Sequence, residues 1–220
     1  MWFRSIAHAC RGCSLLCSWL NRLTGRSTLD CRKLHSSTYG LPDRVERINA
    51  VASNCACESR SMSRYSPGTV KDDEEIAFFL FHPQQIRKNG GLRPDVFSYV
   101  FTQGRSIQRE TIATDDELSD FVRNFLRGKS GRKWHGVLLA EAARLREIKL
   151  QGIDSRAICI YDTAERTNPS HAEVCAGLTI EDNGDGPELR RLLHLAFDAD
   201  NPISRAEYRD GNVLSRLSAH

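Results

Sequence analysis

The sequence predicts an α+β fold in one compact domain, with a short mixed or antiparallel sheet and two to three helices; a mixed α/β arrangement is the alternative. Three observations lead to this prediction. Short apolar runs of strand length alternate with segments of helical spacing. Clusters of Gly, Asn and Pro separate these segments. The length of 220 residues suits one domain of ordinary size together with a polar appendage.

The first part of the predicted domain contains three extended segments. Residues 75–83 (EIAFFLFHP) form a continuous apolar run that ends at proline, which is typical of a buried strand. Residues 95–102 (DVFSYVFT) place aromatic side chains at every second position, and this period of two predicts another strand. Residues 106–113 (SIQRETIA) predict a third strand. The Asn-Gly-Gly and Arg-Pro sequences within residues 87–95 predict a loop between the first two.

Capping residues and apolar spacing predict the helices of the central part. Residues 114–128 begin with a capping box formed by Thr114 and Glu117, and they carry an apolar stripe at helical spacing. Gly128 marks the end of this helix. Residues 134–148 (WHGVLLAEAARLREI) change from strand character to strong helix formers, which predicts a strand followed directly by a helix.

The last predicted elements are one strand, one loop and one helix. Residues 155–162 (SRAICIYD) predict a short buried strand. Residues 187–197 (PELRRLLHLAF) predict a helix with proline at its first position. Between them, His171 and Glu173 are expected in a polar loop. Residues 201–220 predict a polar C-terminal tail.

The first 61 residues differ from the rest of the chain in charge and in cysteine content. They hold nine Lys or Arg against four Asp or Glu, so the net charge of +3 originates there and nucleic-acid binding by the body is not favoured. Six of the eight cysteines also lie there, and only Cys159 and Cys175 follow. Two cysteines do not form a disulfide framework in a long body, so a reducing, cytoplasmic setting is expected. No run of eighteen apolar residues occurs, so no membrane span is predicted.

Four interpretations of residues 1–61 are open. An acid-free start rich in Arg and Ser is typical of an organellar targeting peptide. Two close pairs of side chains have spacings that a tetrahedral zinc site permits: Cys10, Cys13, Cys31 and His35. The segment can also be a disordered tail, or an extension upstream of a true start at Met62, where the composition changes sharply. The last two are favoured, which predicts a disordered or non-native extension followed by a single domain at residues 62–200.

The stretch NPSHAEVCAGL, residues 168–178, contains the His-Ala-Glu pattern of zinc-dependent base deaminases. Such an enzyme needs two further ligands from a downstream Pro-Cys-x-x-Cys, and no cysteine follows Cys175. The spacing from Arg166 to His171 matches a helical ribonuclease motif, but Pro169 interrupts the helix that this motif requires. No metal and no cofactor is therefore predicted.

The remaining functional prediction depends on position along the fold. Ligands gather at the carboxyl ends of strands in α/β folds, so His171 and Glu173 are candidate catalytic residues at the mouth of a loop that follows a buried strand. In the competing interpretation, His171 is a buried hydrogen-bonding residue that pins the loop. Basic side chains around the segment GKSGRK form a candidate patch for phosphate or an acidic partner: Arg123, Arg127, Lys129, Arg132 and Lys133.

Four segments in order, GLRPDVF, GRSIQRE, WHGVLLAEAARLRE and NPSHAEV, resemble a family of small bacterial proteins of unknown function that ends in an Asn-Pro-x-His-Ala-acid/Asn-aliphatic motif. The resemblance covers residues 74–175. It implies that a set of mostly polar residues belongs together: Arg93, Pro94, Phe97, Ser106, Arg109, His171 and Ala172. The chain departs from the family pattern at His82, where the family has an arginine, and the resemblance implies no activity.

Two functional hypotheses follow. The favoured one is a non-catalytic interaction or accessory module that meets a protein partner or an anionic small molecule, because no catalytic constellation is complete. The alternative is a small transferase or hydrolase for a nucleotide-like anionic substrate. It would bind the anion through Arg93, Ser106 and Arg109, with His171 as acid or base. An enzyme should enclose His171 and an arginine in one concave pocket, whereas a module need not.

Overall fold

The centre of the protein is a six-stranded sheet in which all neighbouring strands run antiparallel. The structure, a computed structural model, describes residues 29–180 and 184–217. The strands are β1 (Glu75–His82), β2 (Arg105–Arg109), β3 (Lys133–Glu141), β4 (Ile158–Asp162), β5 (His171–Ala176) and β6 (Ile203–Ser204). Their order across the sheet is β4-β5-β2-β1-β3-β6.

Seven α-helices lie within the described residues. They are α1 (Cys31–Thr38), α2 (Arg44–Val51), α3 (Tyr99–Thr102), α4 (Asp115–Leu126), α5 (Ala142–Arg146), α6 (Asp185–Ala196) and α7 (Asn212–Leu217), and a 3-10 turn spans Tyr208–Gly211. The architecture is mixed α+β, but the prediction of a short sheet with two to three helices is wrong. Several of the missed elements have six residues or fewer, and helices of that length are stabilised by packing rather than by local pattern.

Strand β1 lies in the core and is buried on both faces, as its continuous apolar run predicts. Phe79 and Phe81 face one side and pack with side chains of α4 and α7. Phe78 faces the other side, where its ring centroid lies 5.7 Å from that of Phe97 and 6.1 Å from that of Phe197. The sheet is therefore covered by helical segments on both faces.

Several predicted elements are confirmed where the local signal is strong. Helix α4 begins with the capping box: Glu117 N–H donates to Thr114 Oγ1 at 3.2 Å, and Thr114 N–H donates to Glu117 Oε2 at 2.8 Å. Strand β3 is followed directly by α5, and β4 and α6 lie within or close to the predicted segments. Of the predicted strand at residues 106–113, only the first part is extended.

Residues 95–102 form turns and α3, so the prediction of a strand there is wrong. The N–H groups of Ser98 and Val100 donate to carbonyls three residues earlier, those of Asp95 and Phe97. Phe97 and Val100 are both buried and therefore face the core with a spacing of three rather than two. The loop predicted around His171 is also wrong, since this residue begins the fully buried strand β5.

The N-terminal boundary of the folded unit lies near residue 31 rather than at Met62. Helices α1 and α2 pack on the sheet, and Val45 and Ile48 are buried there. Disulfides join Cys31 to Cys57 and Cys55 to Cys159, which corrects the expectation that the body lacks a disulfide framework. The targeting interpretation and two of the four zinc candidates fall on residues 1–28, outside the described residues, whereas Cys31 is disulfide-bonded.

The segment between α2 and β1 also forms hydrogen bonds with the outer strand β4. Ile160 N–H donates to Glu58 Oε1, and Met62 N–H donates to the Asp162 carbonyl. These contacts satisfy backbone groups that an edge strand would otherwise leave unpaired. At the other end of the chain, β6 pairs with β3 and Tyr208 is buried, so residues 201–217 belong to the fold rather than to a tail. Within the described residues, no helix combines the length and the apolarity needed to cross a membrane.

Candidate functional site

The two predicted catalytic residues lie on the same face of β5 and are buried beneath α1 and α2. His171 Nδ1 lies 2.9 Å from Thr163 Oγ1 and 3.2 Å from the Thr163 carbonyl oxygen. Glu173 Oε2 lies 2.5 Å from Arg44 Nη2, and both side chains are almost wholly buried. The register of the sheet places Ser106 of β2 directly opposite Glu173.

Both terminal nitrogens of Arg44 contact protein groups. Its Nη1 donates to the Gln103 carbonyl at 2.8 Å, and its Nη2 lies 3.4 Å from His35 Nδ1. Burial alone would lower the pKa of Arg44, but the hydrogen bond and charge of Glu173 raise it above its usual range. Burial and then the Arg44 charge lower the pKa of His35 to about 4, so this histidine is neutral at pH 7. The cluster is an internally neutralised arrangement of charges.

These groups line a cavity of about 450 Å³, here called the His171 cavity. Its polar lining residues include His35, Arg44, Thr163, Arg166, His171 and Glu173. The cavity therefore encloses His171 together with arginines, but not with Arg93 or Arg109. Because Glu173 is paired with Arg44, its carboxylate is not available as a general base. His171 retains one ring nitrogen, Nε2, that no described residue engages.

Arg109, one of the predicted anion-binding residues, is a buried anchor of the fold. It donates from Nε and Nη2 to the two carboxylate oxygens of Glu74 at 2.7 Å each, and from Nη1 to the Gly68 carbonyl at 2.7 Å. Burial alone would raise the pKa of Glu74, but the hydrogen bond from Arg109 lowers it below its usual range. These contacts occupy the guanidinium of Arg109. The residue lines neither the His171 cavity nor the cavity between β1 and β2.

A second cavity of about 500 Å³ opens where β1 and β2 part. The register pairs between these strands are Ile76 with Arg109 and Ala77 with Gln108, and none follows. Beyond these pairs, Gln85 takes the place of a strand partner for Phe81. The side-chain Oε1 of Gln85 accepts from the backbone N–H of Phe81 at 2.9 Å, and the backbone N–H of Gln85 donates to the Phe81 carbonyl at 2.8 Å. We call this second cavity the Arg105 cavity. Its lining includes Phe78, Arg93, Tyr99, Arg105, Ser106, Phe121 and Phe125.

Arg105 has no acidic partner in the part of the chain that the structure describes. Its guanidinium carbon lies 4.6 Å from the ring centroid of Phe78 and 5.5 Å from that of Tyr99. Burial lowers the pKa of Arg105 to about 10, so the side chain is still charged at pH 7. The cavity wall therefore holds a cation that is stacked on aromatic rings and not neutralised.

Two of the three predicted anion-binding residues line this same cavity, and the third does not. Arg93 is exposed and pairs with Asp95, with Nε 3.0 Å from Oδ1, while Ser106 is exposed. The sequence prediction missed Arg105, because its isolation from acids depends on where β1 and β2 separate. The turn that leads into Arg105 requires glycine, because Gly104 has φ of +84° and a Cβ there would lie 2.6 Å from Cys175 Sγ.

The predicted basic patch borders the Arg105 cavity through Phe125. Lys129 Nζ lies 5.0 Å and the Arg132 guanidinium carbon 4.7 Å from the Phe125 ring centroid. Arg123 pairs with Asp120 at 2.5 Å on the surface of α4. Arg127 and Lys133 are exposed. The patch thus adds positive charge close to the cavity that contains Arg105.

No group of three or more His, Cys, Asp or Glu side chains in residues 29–180 and 184–217 is arranged to hold a metal ion. No family model, curated protein or solved structure matches the chain. The resemblance to the small bacterial family therefore stays a prediction, and the function is inferred from the geometry of the cavities alone.

Proposed function

We propose that the protein is a non-catalytic binding module that holds an anionic group of its ligand in the Arg105 cavity. The observation that supports this proposal is the unneutralised guanidinium of Arg105 in the cavity wall. Arg105 is half-buried, and a partly desolvated cation without a partner is unfavourable, so an anion placed beside it offsets that penalty. Arginine is also suited to this task, because its planar group can donate two parallel hydrogen bonds to a carboxylate or phosphate.

The surroundings of Arg105 support binding rather than a structural role. Phe78 and Tyr99 restrict the guanidinium by stacking, so less side-chain entropy is lost when an anion binds. Arg93 and Ser106 line the same cavity and can supply further donors. A cavity of about 500 Å³ lies within the range of small-molecule sites.

Thermal unfolding of the full chain in the presence of small anions tests the proposal. The probes are acetate, inorganic phosphate, benzoate and AMP, each compared with sodium chloride at the same ionic strength. We expect at least one probe to raise the midpoint of the wild type. Arg105→Gln should weaken its binding about 10- to 100-fold, since a hydrogen bond to a charged group contributes about 1.5–3 kcal/mol.

Arg47→Gln is the matched control, because Arg47 is exposed on α2 and does not line the cavity. It should keep the full response of the wild type. The proposal fails if no probe changes the midpoint, or if the response of Arg105→Gln equals that of the wild type.

A second candidate function is a small transferase or hydrolase that uses His171 as acid or base. It is favoured by one observation, that the His171 cavity encloses this histidine with Arg44 and Arg166. Turnover of p-nitrophenyl phosphate or p-nitrophenyl acetate by the wild type, lost in a His171→Ala variant that keeps the wild-type circular dichroism spectrum, would support the enzyme. Absence of turnover by the wild type would count against the enzyme, and unfolding of the variant would indicate that His171 is structural.

A further inference from the structure

The Arg105 cavity has two ends of different chemistry, because alternate residues of a strand face opposite sides of the sheet. Arg105 lies against Phe78 on one face. On the other face, Phe79 and Phe81 contact two half-buried rings of α4, with centroids 5.2 Å apart for Phe79 and Phe121, and 4.0 Å apart for Phe81 and Phe125. All of these side chains line the same cavity. One end therefore holds Arg105 against the rings of Phe78 and Tyr99, and the other end holds the half-buried rings of Phe121 and Phe125.

The aromatic end favours a flat ring over a saturated body of the same size. Aromatic pairs prefer offset-stacked or edge-to-face arrangements with centroids 4.5–7 Å apart, and they contribute beyond the area that they bury. Phe121 and Phe125 are only half-buried, so part of each ring is not covered by the protein. The outer basic residues Lys129 and Arg132 lie over Phe125 and add attraction for a negatively charged ligand.

We infer that the ligand of the Arg105 cavity is an aromatic acid, in which a carboxylate or phosphate is attached to a flat ring. This inference rests on the proposed function and deepens it. The acid group lies at Arg105, and the ring extends through the gap between β1 and β2 towards Phe121 and Phe125.

A series of matched ligands tests the ring without altering the protein. Isothermal titration of the wild type compares benzoate with cyclohexanecarboxylate and acetate, and phenyl phosphate with inorganic phosphate. We expect benzoate to bind about 2- to 10-fold more tightly than cyclohexanecarboxylate, and each aromatic acid to bind more tightly than its counterpart without a ring. The comparison of benzoate with phenyl phosphate identifies which acid group the site prefers.

Substitution of one ring provides an independent test. Phe125→Leu should reduce the preference for benzoate over cyclohexanecarboxylate, and Phe101→Leu is the matched control, since Phe101 is also half-buried but does not line this cavity. Circular dichroism checks that both variants are folded. The inference is overturned, and the proposed function kept, if benzoate and cyclohexanecarboxylate bind equally and both lose affinity in Arg105→Gln. If no acid binds, or if binding is independent of Arg105, both fail.

Discussion

The His171 cavity and the Arg105 cavity contain similar side chains but neutralise their charges differently. In the first, the buried carboxylate of Glu173 lies 2.5 Å from Arg44, which also donates to a backbone carbonyl. In the second, Arg105 rests on aromatic rings, and none of the described residues offers it a carboxylate. An arginine paired with a buried carboxylate holds elements of the fold together. Arg105 is available to a ligand, because Asp95, an acid in the lining of its cavity, is paired with Arg93 instead.

Removing the arginine of the His171 cavity is expected to have the largest effect. Arg44→Met leaves Glu173 buried without its cation, and breaking such a pair lowers the free energy of unfolding by about 3–5 kcal/mol. Urea unfolding followed by circular dichroism measures the change. Arg123→Met on the surface of α4 is the control and should leave the midpoint unchanged. A loss below about 1 kcal/mol for Arg44→Met would contradict the buried pair.

Reducing the disulfides is expected to weaken the wall of the same cavity. The Cys55–Cys159 bond closes a loop of 104 residues and ties the α1–α2 segment to β4. Loss of such a bond lowers the free energy of unfolding by about 2–5 kcal/mol. Urea unfolding with and without dithiothreitol measures this. A Cys55→Ser, Cys159→Ser double variant should respond less to the reductant. Equal midpoints of the wild type in both conditions would refute the bonds.

The pH dependence of stability should report the neutral histidine of the His171 cavity. Burial and the Arg44 charge lower the pKa of His35 to about 4 when folded, against 6.5 in an unfolded chain. As the pH falls, the unfolded state therefore binds a proton on His35 before the folded state does. The contribution of His35 to stability is full above pH 6.5 and is lost as the pH falls towards 4. The expected loss is about 3 kcal/mol. His35→Gln should flatten the urea-unfolding profile over this range, and an unchanged profile would contradict the assignment.

Replacing an arginine by methionine in the Arg105 cavity should have the smallest effect on stability. Arg105→Met removes a cation without a partner and keeps the apolar contact with Phe78. The free energy of unfolding should change by no more than about 1 kcal/mol, because losing the contacts of the charge with Phe78 and Tyr99 opposes the gain from removing an unpaired cation. Urea unfolding of Arg105→Met and Arg44→Met under the same conditions compares the contributions of the two arginines to stability. A loss of several kcal/mol for Arg105→Met would indicate that this arginine has a structural partner.

The sequence predicts those parts of the molecule that local chemistry determines. The apolar run of β1, the capping box of Thr114 and Glu117, and the step from β3 into α5 all follow from neighbouring residues. The packing of residues 31–61 does not, because it depends on a disulfide and hydrogen bonds that join residues about a hundred positions apart. The spacing of Phe97 and Val100 is too short a pattern to distinguish a turn from a strand.

The sequence predicts only part of the candidate site, because the pairing of charged side chains also depends on contacts between distant residues. Arg93 and Ser106 line one cavity, as an anion site built from them requires, but Arg109 is engaged by Glu74. Whether an arginine is free or paired depends on which carboxylate the fold brings next to it, and no residue spacing encodes this. Arg105 and Arg44 were therefore missed, although Arg105 lies in the segment GRSIQRE of the resemblance; Arg44 lies in the extension that was predicted to be disordered or non-native.

The most direct test of the account follows the Arg105 guanidinium itself. Nuclear magnetic resonance of ¹⁵N-labelled full-length protein resolves arginine Nε–H signals, and the signal missing from Arg105→Gln identifies this residue. We predict that it shifts in a saturable way when benzoate or inorganic phosphate is added, while the signal of Arg109, held by Glu74, does not move. An Arg105 signal that stays fixed across the titration would contradict the assignment of this cavity as an anion site.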